Sequence, residues 1–361
     1  MKDIPAARQE IERIDTEIIR LLAARQECAR IIGENKRLAG TNVFVPEREE
    51  ELLRKLEKLA EGLEIPSANV RAIYREIISA SVALQMQDLP VAYLGPEGTF
   101  THQAARKNFG GSVNLIPMRT IGEIFEAVER GKAGYGVIPI ENSNAGAVTG
   151  ALDTLAESDL KIIAQIQLSV EQCLISRSPL EKITRVLSKD IGLAQCSQWL
   201  MRNLPNADLV PTDSTAAAVT EAARDANTAA IASSVAAEIH GVPVVEKSIQ
   251  DRTENVTRFL VIGKKANPPC AAFEEKTSLV VSIKNEPGSL LGMLKPFSDR
   301  GINLVSIESR PSRKRAWEYL FFIDLIGSWD APNIREAIAE LERHCVFVKH
   351  LGSYPNLVSA S

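Results

Sequence analysis

The sequence predicts a multidomain protein: an all-α segment, then an α/β segment, then a small α+β segment. Three observations carry this. Residues 1 to 87 are rich in Arg, Glu, Leu and Ile, which is a helical composition. From Val91 onward, short apolar runs such as Val91-Ala92-Tyr93-Leu94 and Tyr135-Gly136-Val137-Ile138 alternate with helical stretches, and Gly and Pro become frequent. From about Lys276 the order reads strand, helix, strand, strand, helix, strand, the βαββαβ order of ferredoxin-like folds. The seams are Asp88-Leu89-Pro90 and Ala266-Asn267-Pro268-Pro269, where prolines break any element. The segments are therefore 1–87, 91–265 and 276–361.

Composition limits the function classes. Apolar residues make up 45% of the 361, ample for more than one core. Lys plus Arg is 42 against 46 for Asp plus Glu, a net charge of -4 that argues against nucleic acid as a partner. No apolar run approaches the roughly 18 residues of a membrane span. The stretch Met1 to Asp15 is charged throughout, unlike a signal peptide, so the expected location is cytoplasmic. Cys28, Cys173, Cys196, Cys270 and Cys345 are scattered without a C-x-x-C pair, and the four histidines lack ligand spacing. Neither a disulfide framework nor a metal site is expected, and the glycine patterns of nucleotide-binding loops are absent.

In the first helix, at about 100° per residue, Ile11, Ile14, Ile18, Leu22 and Ile32 form one stripe. Arg25 and Lys36 fall on that stripe and Arg8 on its rim. A cation facing a core needs a partner. Arg25 and Lys36 lie roughly 16 Å apart along the axis and can grip one small anion between them. The alternative is that they snorkel, or pair with Glu residues of a neighbouring helix. The middle helix is expected to turn Leu52, Leu56, Leu59 and Leu63 inward, with Arg48 and Glu49 at the stripe's edges. The third has Val70, Ile73, Tyr74, Ile77 and Leu84 on its stripe, with Ser81 and Gln85 inside it. A first helix of this length cannot bury its stripe alone, but a dimer of such units can.

The α/β segment carries three polar strings. Gly95-Pro96-Glu97-Gly98-Thr99-Phe100 follows a strand, as does Pro139-Ile140-Glu141-Asn142-Ser143-Asn144-Ala145-Gly146. Asp251-Arg252-Thr253-Glu254-Asn255-Val256-Thr257-Arg258-Phe259 precedes the strand Leu260–Ile262. Ligands of open α/β sheets sit at the carboxyl ends of strands, next to helix N-termini that offer N–H donors. Each string is also consistent with a plain turn or cap. In the last segment the expected strands are 278–283, 303–308, 319–325 and 346–351, and the helices 289–299 and 332–343. Pro287-Gly288-Ser289-Leu290-Leu291 lies between the first strand and helix, and Glu308-Ser309-Arg310-Pro311 ends the second strand.

Arg8, Arg25, Lys36, Arg48-Glu49 and Ser81-x-x-x-Gln85 resemble the all-helical chorismate mutase family in residue type and order, over nearly all of residues 1 to 87. That resemblance implies an intertwined dimer. Arg25, Lys36 and Arg48 would hold the substrate's carboxylates and ether oxygen, and Arg8 would come from the partner chain. Gln85 would bind the ether oxygen and Glu49 the hydroxyl. Val45 departs from relatives that carry Asp there. Thr257-Arg258-Phe259, Glu141-Asn142-Ser143 and Gln195-Cys196 resemble prephenate dehydratase over residues 91 to about 265. This implies two α/β lobes, similar to periplasmic binding proteins, with the second at about 168–242 and the active cleft between them. Thr257 would assist hydroxide departure, and Asn142 and Gln195 would orient the substrate. Thr99, Glu141, Ser143 and Arg258 would bind it. Ser188-Lys189-Asp190-Ile191 departs from the Ser-His-Pro-Gln that relatives often show.

The C-terminal strings resemble the ACT module attached to such dehydratases. Phenylalanine would be the effector, bound by Gly288, Ser289, Leu290, Leu291, Asn303, Glu308, Ser309 and Arg310. Together the resemblances imply a bifunctional enzyme of phenylalanine biosynthesis, an isomerase and a carbon–oxygen lyase. It would act on chorismate and prephenate without cofactor or metal, away from nucleic acid and membrane, as a homodimer or higher homo-oligomer inhibited by L-phenylalanine. The rival readings are a non-catalytic amino-acid-responsive regulator, or an enzyme with one dead site.

Overall fold

The structure, a computed structural model, describes residues 4–87, 89–252, 254–269, 272–311 and 318–357. Asp88, Thr253 and Cys270, named above, lie outside them. The chain divides into two compact units, Met1–Pro90 with Phe109–Asn114, and Val91–Asn108 with Leu115–Ser361.

The first unit is helical: α1 (Ile4–Ala39), α2 (Pro46–Glu61) and α3 (Ser67–Met86). Pro5 sits in the first turn of α1, where its missing N–H costs nothing. Gly40 ends the helix in the left-handed region at φ 63°, and the Thr41 N–H reaches back to the Lys36 carbonyl at 2.9 Å. Along α1 only Ala29 and Gly33 are buried, and Ile11, Ile14 and Ile18 are 56%, 42% and 47% exposed. An apolar stripe this long and this open is unusual for a finished surface. The middle helix departs from expectation. Its buried side chains include Leu53 and Ala60, whereas Leu59 and Leu63 are exposed. The inward face lies one residue further along than the leucine spacing suggests, because small Ala60 completes it.

The second unit holds three sheets. The first has the order β2-β1-β3-β11-β5, with β4 on β3. These strands are β1 (Val91–Leu94), β2 (Leu115–Met118), β3 (Tyr135–Asn142), β4 (Gly146–Ala147), β5 (Lys161–Ser169) and β11 (Val256–Gly263). β1 runs parallel to β2 and β3, whereas β11 lies antiparallel between β3 and β5. The second sheet has the order β10-β6-β9-β7-β8, built from β6 (Cys173–Ile175), β7 (Arg185–Ser188), β8 (Asp208–Pro211), β9 (Thr228–Ala232) and β10 (Val244–Glu246). Leu168 and Ser169 still belong to β5, and the last strand runs to Glu246. Segments 170–172 and 247–255 therefore join the two lobes.

The third sheet, β13-β14-β12-β15, is antiparallel throughout. Its chain order is β12 (Glu275–Ile283), α11 (Ser289–Ser298), β13 (Leu304–Pro311), β14 (Tyr319–Ile326), α12 (Pro332–His344) and β15 (Phe347–Pro355). This is the expected βαββαβ. Leu279, Ile323 and Leu325 pack with Phe297 and Ile338 beneath the two helices. On the other side, Val280, Phe322, Leu351 and Tyr354 share one core with Ile138, Ile162, Leu260 and Ile262 of the first lobe. The module is thus fused to that lobe by apolar contact.

Candidate functional site

In the helical unit, α1 and α3 bring Arg25 against Ser81 and place Gln85 against Gly33, one helical turn before Lys36. Gly33 allows this approach: a Cβ there would lie 2.9 Å from Gln85 Cγ. Arg25 donates to the Ser81 hydroxyl, and Lys36 donates to the Val43 carbonyl at 2.7 Å. Burial lowers the Lys36 pKa, with the charge of Glu49 opposing. Glu49 is pushed up to about 7, mainly by burial, against the pull of Arg75 and Lys36. Arg75, which no sequence argument singled out, approaches Glu49 at 3.5 Å. Gln85 Oε1 is buried without a partner. Two expected residues stand apart. Arg48 is exposed and paired with Glu51 at 2.8 Å, one helical turn on, and Arg8 is exposed on α1.

Between the α/β lobes lies a cavity of about 250 Å³, lined by Thr99, Asn142 and Thr257 of the first and Lys189, Gln195 and Ser214 of the second. A chain of amides runs beneath it, and its orientation is fixed from one end. Backbone N–H groups of Asn144 and Ala145 donate to Asn142 Oδ1, each at 3.0 Å, so the Asn142 amide nitrogen must point the other way. Asn142 Nδ2 donates to Asn255 Oδ1 and to Thr257 Oγ1, both at 2.8 Å. Asn255 Nδ2 then donates to Gln195 Oε1 at 3.1 Å, and Gln172 Nε2 donates to the same oxygen at 3.0 Å. Because Thr257 Oγ accepts from Asn142, its own proton is free for the cavity. Asn255 and Gln172 are 1% and 2% exposed. Asn255 lies inside a string already singled out. Gln172 lies in none, and the only sequence signal is a polar residue just before an all-apolar strand.

The other expected substrate ligands are differently placed. β11 alternates, so Thr257 and Arg258 point to opposite faces. Arg258 pairs with Asp324 of β14 and, at 3.1 Å, with Glu141. Both line a separate small space with Ser278 and Tyr354. In this structure Arg258 and Glu141 thus join the first lobe to the βαββαβ module, and neither is among the residues that line the larger cavity. The Ser143 hydroxyl accepts from the Val256 N–H at 3.0 Å and ties β3 to β11. Thr99 lines the cavity, but its hydroxyl donates to the Leu94 carbonyl at 3.0 Å and accepts from the His102 N–H at 3.3 Å. At 188–191, Lys189 and Ile191 line the cavity.

The expected effector residues do not converge within one chain. Gly288, at φ 86°, follows the far end of β12 and starts α11, and a Cβ placed on it would meet no atom within 4 Å. Leu290 and Leu291 beside it are exposed. Asn303 precedes Leu304, which the register places level with Leu325 and Thr277, at the other end of β12. At ~3.3 Å per residue, those ends are about 20 Å apart. Glu308 and Ser309 are exposed on β13. Arg310 is turned to Asp153 of α6 (Thr149–Glu157), at 3.3 Å. In this state its charge is met by that carboxylate.

Three family models match in succession: chorismate mutase type II over residues 7–86, prephenate dehydratase over 91–267 and the ACT domain over 277–343. The bifunctional chorismate mutase/prephenate dehydratase of Aquifex aeolicus is 43% identical, covering 98% of this chain and 98% of its own length. That of Pseudomonas aeruginosa is 38% identical with the same coverage of 98% on both sides. Among solved structures, the prephenate dehydratase of Arthrobacter aurescens in complex with L-Phe matches at TM-score 0.70 and 34% identity, over 75% of this chain and 94% of that one.

Proposed function

The chain belongs to the bifunctional chorismate mutase/prephenate dehydratase family, and accordingly we propose that it carries out both steps, chorismate to prephenate and prephenate to phenylpyruvate. The first is a pericyclic rearrangement in which an ether C–O bond breaks as a C–C bond forms, with no proton transfer. It needs the compact conformer held and the charge on the breaking ether stabilised. Arg25 and Lys36 supply cations, and the Gln85 amide, whose Oε1 is held by no partner, is placed to donate from Nε2 to the ether oxygen. Arg48 joins them by exchanging Glu51 for a substrate carboxylate. Arg8 does so from a second chain, whose stripe covers Ile11, Ile14 and Ile18.

In the second step the bond from ring to carboxylate breaks, carbon dioxide leaves, and its electron pair enters the ring as hydroxide departs. The departing oxygen takes up one proton to become water. The observation that carries this reading is the hydrogen bond from Asn142 Nδ2 to Thr257 Oγ at the cavity wall: with Oγ accepting there, its proton is the one to be donated into the cavity, where charge builds on the leaving oxygen. Gln195 Oε1 is held by two donors, which leaves its amide nitrogen to orient the substrate. No cofactor is required.

L-phenylalanine is the proposed inhibitor, acting through the ACT module. Because Gly288 and Asn303 lie at opposite ends of one sheet, an effector pocket using both takes them from two chains of a homodimer. The place of action is the cytoplasm. Supplying prephenate to the purified chain, with and without phenylalanine, tests this reading. Phenylpyruvate forms, and more slowly with the effector present. No phenylpyruvate in its absence refutes the dehydratase assignment.

A further inference from the structure

One group in the cleft is left over once the reaction has been assigned. Gln172 stands at the crossover between β5 and β6. Its N–H donates to Gln250 Oε1 at 2.9 Å, and its carbonyl accepts from the Ile249 N–H at 2.9 Å. The residue is therefore pinned between the two crossover segments. Its side-chain orientation is equally settled, because the amide chain that starts at the backbone donors of Asn144 and Ala145 ends with Gln172 Nε2 on Gln195 Oε1. What remains is Gln172 Oε1, buried and without a hydrogen-bond partner, on a residue that lines the same cavity as Thr257. A buried amide oxygen left unpaired carries its full desolvation cost. A residue that lines a cavity and keeps a buried acceptor unpaired is complementary to a donor that arrives with the ligand, once a small shift of the side chain opens Oε1 to it.

We propose that Gln172 is a substrate-contacting residue whose Oε1 accepts the hydrogen bond of the ring hydroxyl that prephenate loses. This role rests on the dehydratase reading above. Prephenate's carboxylates and ketone bring no proton to donate, so the ring hydroxyl is the donor that this acceptor matches. With its proton on Gln172, the hydroxyl turns a lone pair toward Thr257. The departing oxygen keeps the proton held by Gln172 and takes a second from the Thr257 hydroxyl, which regains one from solvent in the same step, and leaves as water. As negative charge builds on that oxygen its own O–H becomes a weaker donor. The contact with Gln172 therefore orients and binds the ground state more than it stabilises the transition state.

The test compares prephenate with phenylpyruvate, the product that lacks the hydroxyl, on the full chain. Gln172→Met should raise KM for prephenate about tenfold, while inhibition by added phenylpyruvate stays within twofold of the parent. Where Gln172→Met does not fold, Gln172→Glu serves. Its neutral acid can donate to Gln195 and keep an accepting oxygen, so KM for prephenate should fall toward the parent value as pH is lowered, with phenylpyruvate inhibition constant. Equal weakening of both ligands makes Gln172 a brace for Gln195 and overturns the proposal. An unchanged KM overturns it too, with the dehydratase reading intact. A parent chain that forms no phenylpyruvate from prephenate refutes that reading and this inference with it.

Discussion

Replacing Thr257 by Val removes one hydroxyl and keeps the shape, so two quantities separate cleanly. The folded state loses the bond from Asn142 Nδ2 at 2.8 Å, but that nitrogen keeps Asn255 at 2.8 Å, and Asn142 Oδ1 keeps two backbone donors. The stability loss is therefore one neutral hydrogen bond, about 1 kcal/mol, or about 2–4 °C in melting temperature for a domain of this size. The transition state loses a donor aimed at developing charge, typically on the order of 10²–10³ in rate, about 2.7–4 kcal/mol of barrier. Phenylpyruvate release from prephenate, measured over a range of substrate concentrations, should show kcat falling by that factor with KM little changed. Thr257→Ser, which keeps the donor with looser positioning, should retain intermediate activity. Near-normal kcat in Thr257→Val would mean that Thr257 only begins a strand, where Val is the better residue. The amide chain would then aim no proton at the leaving oxygen.

Lys36→Ala should abolish mutase activity and leave phenylpyruvate formation from added prephenate nearly intact; parallel loss of both in a folded chain would refute separate sites. Glu49, raised from 4.5 to about 7 by burial, is neutral below that pH and ionises above it, where its charge repels a dianionic substrate. Mutase kcat/KM should therefore decline as pH rises through about 7, and Glu49→Gln should flatten the profile; an unchanged profile would remove Glu49 from the site. Arg258→Met leaves Asp324 without its cation, and denaturant titration should show a loss of about 3 kcal/mol that Asp324→Asn in the same chain largely restores. Additive losses would show that the pair is not coupled. Excess phenylalanine should raise the melting temperature, and Asn303→Ala should reduce the shift; Gly288→Val is a poor probe, because φ 86° strains any side chain there.

Composition and pattern make the three segments legible, and the βαββαβ order emerges with strand and helix limits close to those expected. The cleft is half legible. Thr257, Asn142 and Gln195 line one cavity, whereas Arg258 and Glu141, named from the same strings, line another. Strand alternation places neighbours on opposite faces, and applied to Thr257-Arg258 it separates the two roles. Gln172 and Asn255 escape a sequence reading because burial, not spacing, gives them meaning. Counting leucines puts the α2 stripe one residue out of phase, since it leaves Ala60 out. The long open stripe of α1 follows from length alone, since no single three-helix unit can cover it.

If one chain performs two consecutive reactions at separate sites, the purified protein given chorismate alone must run both. Every product followed over time gives the decisive record. Prephenate should rise first, and phenylpyruvate should follow to completion without any other enzyme. Prephenate accumulating without phenylpyruvate, or chorismate left unconsumed, would contradict this.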